Sequence, residues 1–171
     1  MHIFVTGFMG VGKSTVGRCL AVALGLPFVD LDEEIEGHAG ESIAGIFEQR
    51  GEVAFRKLES EVLAAVVQRP PAVIATGGGT VTSEENRVLM ASHGVSVWID
   101  LPFASIARRV VGEEQADRPL FESRSQAHAL YEARLSAYRA CNLRVAAEAE
   151  ESPQEIAGRI QQRLQETPCA T

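Results

Sequence analysis

Lysine is scarce in this chain: Lys13 and Lys57 stand against fourteen arginines. No run of basic residues occurs, and the net charge is −7. Binding to a nucleic-acid backbone depends on clustered cations, so nucleic acid is excluded as a partner. An anionic substrate has to be met by local arginines inside an acidic envelope. Cysteine is scarce too. Cys19, Cys141 and Cys169 are odd in number and lack metal-ligand spacing, which excludes a disulfide framework and a zinc site. A reducing, cytoplasmic compartment is the expectation. No apolar run approaches the ~20 residues of a membrane span. The first strand starts almost at Met1, so no leader segment is expected. Internal repeats and low-complexity linkers are also missing. A chain of 171 residues, 46% hydrophobic, therefore reads as one globular domain over 1–171, expected to act as a monomer.

What is present begins with Gly7-Phe8-Met9-Gly10-Val11-Gly12-Lys13-Ser14. An apolar strand at 3–5 precedes it, and a stretch with helical spacing, 15–24, follows, with Gly25 as the stop. Strand, glycine loop and helix are the context of a phosphate-binding loop. The loop and the helix N-terminus offer backbone N–H groups to a phosphate. Lys13 reaches the β- and γ-phosphates, and the Ser14 hydroxyl suits Mg²⁺. ATP with Mg²⁺ is the cofactor class this predicts, with an ordinary glycine turn as the plain alternative.

Strand and helix signals alternate along the rest. Strands are expected at 27–30, 72–75, 95–99 and 143–145. Helices are expected at 41–67 with a break near Gly51, at 82–92 with Thr82 as N-cap, at 103–111 and at 126–140. The last helix runs from a Ser152-Pro153-Gln154-Glu155 capping box to about residue 164. Residues 112–123 are polar and irregular, the pattern of a lid, and 167–171 read as a frayed tail. The alternation implies an α/β fold with a parallel sheet covered on both faces.

Four further groups carry chemistry. Asp30 and Asp32 end the second strand, where ligand sites of open α/β sheets gather. Extended backbone would point both the same way. The alternative is that Asp32 is an N-cap for a turn at Glu33-Glu34. Arg56 and Glu59 share a helix face, as a clamp holding Arg56 or as a surface ion pair. Gly77-Gly78-Gly79 follow the most apolar strand and allow close backbone approach to a ligand, or form a flexible turn. Thr76 stands where many phosphate-loop enzymes place a magnesium-holding Asp, and could hold a metal-bound water. Arg108, Arg109, Arg118, Arg134 and Arg139 cluster around the 112–123 segment.

Taken together, Gly7 to Thr15, Asp30-Leu31-Asp32, Phe55-Arg56-Lys57-Leu58-Glu59, Gly77-Gly78-Gly79 and Arg118-Pro119-Leu120 resemble shikimate kinase, and Arg134 stands four residues before Tyr138 as in that family. The likeness runs from about residue 3 to 160. It implies a three-layer P-loop kinase fold, similar to nucleoside monophosphate kinases. Its five-stranded parallel sheet has the order 2-3-1-4-5, flanked by helices, with a mobile lid. It implies transfer of the ATP γ-phosphoryl group to the 3-hydroxyl of shikimate in chorismate and aromatic amino-acid biosynthesis. Gly10, Val11, Gly12, Lys13, Ser14 and Thr15 would bind ATP, with Arg109 at the adenine and Arg118 coming down from the lid. Ser14, and Asp30 through water, would hold Mg²⁺. Asp32, Arg56, Gly78, Gly79 and Arg134 would bind shikimate, the two arginines on its carboxylate. Lys13, Asp32 and Arg118 would be catalytic. The chain departs from the family pattern in its acidic lid residues, Glu113, Glu114 and Asp117. It also lacks an arginine in the loop 149–153. A gluconate-type kinase and a nucleotide-dependent module without catalysis are the rival readings.

Overall fold

In the computed structural model, which describes residues 1–112 and 124–166, five strands form one parallel sheet in the order β2-β3-β1-β4-β5. They are β1 (His2–Thr6), β2 (Phe28–Asp30), β3 (Val73–Ala75), β4 (Gly94–Asp100) and β5 (Leu143–Ala146). All five residues of β1 are buried. Successive strand residues point to opposite faces, so the central strand is covered on both. Phe4 pairs with Ile74 of β3 on one side and Ser96 of β4 on the other. The expected sheet order is the observed one.

The helices are α1 (Lys13–Leu24), α2 (Leu31–Ala39), α3 (Ile43–Val66), α4 (Glu84–His93), α5 (Phe103–Gly112), α6 (Arg124–Arg139) and α7 (Pro153–Glu166). α1 buries Val16, Gly17, Leu20 and Ala21 and packs against α7. α7 opens on the expected reciprocal cap: Glu155 Oε2 accepts from the Ser152 N–H at 2.8 Å, and Ser152 Oγ accepts from the Glu155 N–H at 3.3 Å. Ile156, Ala157 and Ile160 are its buried face. α3 breaks as expected at Gly51, whose φ of 76° and ψ of 171° no helix accepts.

The structure differs from the sequence reading at several helix starts: α3 begins at Ile43 and α6 at Arg124, each two residues from the expected position, and α2 is not among the expected helices. Asp30-Leu31-Asp32 is not an extended run: the strand ends at Asp30 and α2 begins at once. The cap is Asp30, not Asp32, its Oδ1 accepting from the Asp32 N–H at 3.1 Å. The helix placed at 82–92 starts two residues later. Residues Thr80–Thr82 form a 3₁₀ turn, and Ser83 caps α4 by accepting from the Asn86 N–H at 3.3 Å. The lid at 112–123 falls, after Gly112, outside the described residues, and so does the tail at 167–171. Among the described residues no helix is long and apolar enough to cross a membrane.

Candidate active site

The carboxyl ends of β1, β2 and β3 open into one cleft of about 660 Å³. Of the sequence-predicted residues it gathers Gly10, Gly12, Lys13, Ser14, Thr15, Asp30, Asp32, Arg56, Gly78, Gly79 and Arg134. Val11 does not line it; its side chain is buried in the core. That leaves Val11 its backbone alone as a contact. Arg109 sits in α5, its side chain outside the described residues, and Arg118 lies outside them altogether.

The phosphate loop is shaped by two glycines. A Cβ on Gly7 would lie 2.8 Å from the Ile99 carbonyl oxygen, so only glycine lets the loop leave β1 this close to β4. Gly12, at φ 91°, caps α1 without a side chain. The first N–H groups of α1 therefore face the cleft with no side-chain cap on them, as a phosphate requires. Lys13 Nζ donates to the Phe8 carbonyl at 3.2 Å, which folds the ammonium back over the loop.

Opposite the loop stands Asp32, in the first turn of α2. Burial pushes its carboxyl up to about 6, against the pull of Lys13 and with the repulsion of Asp30, Glu59 and Glu36. Ser14, Asp30, Asp32 and Thr76, whose side chains offer only oxygen, are among the residues that line the cleft. A set made only of oxygens suits a hard cation such as Mg²⁺.

Arg56 is held on both edges. Its Nη1 donates to Glu59 Oε2 at 2.9 Å, and its Nε and Nη2 donate to Glu52 Oε1 at 3.3 and 3.1 Å. Glu59 is 1% exposed and accepts a second bond from the Thr80 hydroxyl at 2.6 Å. This pair is therefore a clamp anchored on a buried carboxylate, not a surface ion pair. Burial works against the charge of Arg56, and Glu59 and Glu52 outweigh it, raising its pKa. Arg134, on α6, is 5% exposed. Burial lowers its pKa, and Arg56 adds repulsion. Two guanidinium groups sunk into one cleft call for an anion between them.

The three glycines serve different neighbours. A Cβ on Gly77 would lie 2.8 Å from Glu59 Oε1 and 3.0 Å from Asp32 Oδ1. One on Gly79 would lie 2.6 Å from both Nη atoms of Arg56. These two positions make room chiefly for the protein's own charged side chains. The turn is also no flexible one. Thr82 Oγ1 donates to the Gly79 carbonyl at 2.6 Å, Asn86 Nδ2 to the Thr80 carbonyl at 3.1 Å, and the Tyr138 hydroxyl to the Gly78 carbonyl at 2.6 Å. The sequence reading had no role for Thr80, Asn86, Tyr138 or Glu52. The signals were weak ones: a threonine directly after three glycines, and a tyrosine and a glutamate each one turn from an arginine.

Residues 9–165 match the model of the shikimate kinase family. A shikimate kinase of Ruegeria pomeroyi is 41% identical over 161 residues, which cover 92% of this chain and 82% of that protein. Among solved structures, a shikimate kinase from Acinetobacter baumannii in complex with shikimate superposes with a TM-score of 0.92 at 33% identity, over 98% of this chain and 94% of the other. A shikimate kinase from Aquifex aeolicus gives 0.86 at 37% identity, covering all of both chains.

Proposed function

The chain belongs to the shikimate kinase family, enzymes that phosphorylate shikimate with ATP on the route to the aromatic amino acids, and on that footing we propose that this one cleft seats both substrates, with the roles that follow. The observation that carries the reading is the meeting of a phosphate loop, a carboxylate with a raised pKa, the half-buried Arg56 and the buried Arg134 in the same cavity.

The triphosphate lies on the N–H groups from Gly10 to Thr15, with Lys13 released from Phe8 to reach its outer oxygens. Ser14 and, through water, Asp30 would hold Mg²⁺, whose chemistry there is neutralisation of phosphate charge. Arg56 and Arg134 pair the shikimate carboxylate, and the backbone of Gly78 and Gly79 meets the ring substituents. Asp32 orients the 3-hydroxyl and takes its proton. The hydroxyl oxygen then bonds to the γ-phosphorus, the bond from phosphorus to the β–γ bridging oxygen breaks, and ADP leaves. Little covalent chemistry is asked of the protein; positioning and charge neutralisation dominate. Arg118 is assigned from its sequence context to the transferring phosphoryl group, and Arg109 to the adenine. We also propose that the chain is one P-loop kinase domain acting as a monomer in the cytoplasm.

Coupled ADP release decides the reading. ADP should form with Mg²⁺ and shikimate together, and stay at background when either is omitted. Equal turnover with the uncharged methyl ester of shikimate would remove the two arginines from carboxylate recognition, and equal turnover with gluconate would favour the gluconate-type kinase reading.

A further inference from the structure

Tyr138 has no part in the roles above, yet it is fully buried beside the acceptor seat. Its ring stacks on Trp98 of β4, with centroids 5.8 Å apart and planes 19° from parallel. Its hydroxyl donates to the Gly78 carbonyl at 2.6 Å. The peptide joining Gly78 to Gly79 is trans. In a planar trans peptide the carbonyl and the following N–H point in opposite directions. Fixing the Gly78 carbonyl on α6 thus turns the Gly79 N–H the other way. Gly79 lines the cleft. A peptide between two glycines meets little steric resistance to rotation. Without an anchor it could flip and offer an oxygen where a donor had stood. Arg134 lies one turn before Tyr138 on α6, with Nη1 3.6 Å from where a Cβ on Gly78 would sit.

We propose that Tyr138 is a positioning residue for the acceptor: its hydroxyl locks the Gly78–Gly79 peptide so that the Gly79 N–H, and not a carbonyl, meets shikimate beside Arg134. This rests on the assignment of Gly78, Gly79 and Arg134 to the acceptor seat. Burial holds the Tyr138 phenol far above its ordinary value of 10, so it stays a donor at any working pH.

Tyr138→Phe keeps the ring stack and removes the hydroxyl's bond to the Gly78 carbonyl together with its contact to Arg134. A net worth of about 1 kcal/mol converts to roughly a fivefold rise in KM for shikimate, with KM for ATP changed less than about twofold. The ratio of the two enzymes' KM values for shikimate should be flat from about pH 6 to 9, because the hydroxyl does not titrate there. A merely structural role would lower Tm and the active fraction while leaving both KM values of the folded protein unchanged, and that result overturns the proposal. Arg134→Lys is the companion. A raised shikimate KM there, with none in Tyr138→Phe, defeats the Tyr138 proposal alone. No change in either variant defeats the acceptor-seat assignment beneath it. A measurement on the unaltered protein needs no variant to fold: amide exchange at Gly79 should slow by about tenfold or more when shikimate saturates the site. Exchange at Gly79 indifferent to shikimate also overturns the proposal.

Discussion

Asp32 is poised where a proton acceptor works best. Burial sets its carboxyl near 6, so it is charged at neutral pH and still basic enough to accept a proton. Because kcat/KM reports groups of the free enzyme, kcat/KM for shikimate should fall about tenfold per unit below about pH 6. Asp32→Asn should be slow and nearly flat across that range. A wild-type profile with no break between about pH 5 and 7 would remove Asp32 as the group that must be ionised. The same shift has a stability consequence. Below the ordinary value of 3.8 the carboxyl is protonated both folded and unfolded. Between 3.8 and about 6 the folded protein keeps a proton that the unfolded chain gives up, so stability falls as pH rises through that window. Above it the penalty is constant. Asp32→Asn removes the penalty, and should raise Tm at about pH 8 with the gain fading by about pH 4. Arg134 is a second residue whose cost and use coincide. A buried guanidinium repelled by Arg56 is expensive to keep empty, and a bound carboxylate relieves both. Lysine, without the planar fork, should raise KM for shikimate at least about tenfold and leave KM for ATP nearly alone.

Among the elements, the turn after β3 shows how a glycine run becomes specific. Arg56 lies against Gly79 and is pinned by Glu52 and Glu59 on its edges. Gly79→Ala would put a methyl group where the guanidinium sits. Gly79 is buried, but the end of a long side chain can move, so Tm should fall by about the 2–4 °C that ~1 kcal/mol costs a chain of this length. The carboxylate seat moves with it, and KM for shikimate should rise by about tenfold or more. A variant with wild-type KM would show that Arg56 recovers its place. Such contacts were only partly legible in the sequence. The phosphate loop, the parallel α/β class and the pairing of Glu59 with Arg56 were readable, because glycine spacing, strand–helix alternation and an i, i+3 pair are local signals, whereas the sheet order came only with the family resemblance. The Asp30 cap was misread because Asp-Leu-Asp fits a strand end as well as a helix start, and only the turn of the backbone at Leu31 decides. Thr82 lost the cap of α4 to Ser83 for a similar reason: both residue types cap, and the 3₁₀ turn sets which is free to do so. The bonds from Thr80 to Glu59 and from Tyr138 to Gly78 span 21 and 60 residues, and no periodicity announces a contact of that kind.

The whole molecule divides its labour between a scaffold and a cleft. The sheet order brings β1, β2 and β3 side by side, so their carboxyl ends deliver the phosphate loop, the two aspartates and the glycine turn to one place. The scaffold acts on the site mainly through α1, whose first residues are Lys13 and Ser14. The rear of that helix is braced by α7, which contributes the fully buried Ile160 to the core. No residue of α7 lines the cleft. Ile160→Ala would leave a cavity in a well-packed core and should cost on the order of 2–5 kcal/mol. In a chain of this length that is a Tm lower by roughly 5–15 °C. If site and scaffold are separable, kcat and both KM values, expressed per folded molecule and taken well below Tm, should stay within about twofold of the wild type. Melting followed by circular dichroism, with kinetics at about 15 °C, reads both quantities. A selective rise in KM for ATP would instead mean that α7 holds α1, and with it the phosphate loop, in register. That outcome would turn the brace from a stabiliser of the fold into part of the nucleotide seat.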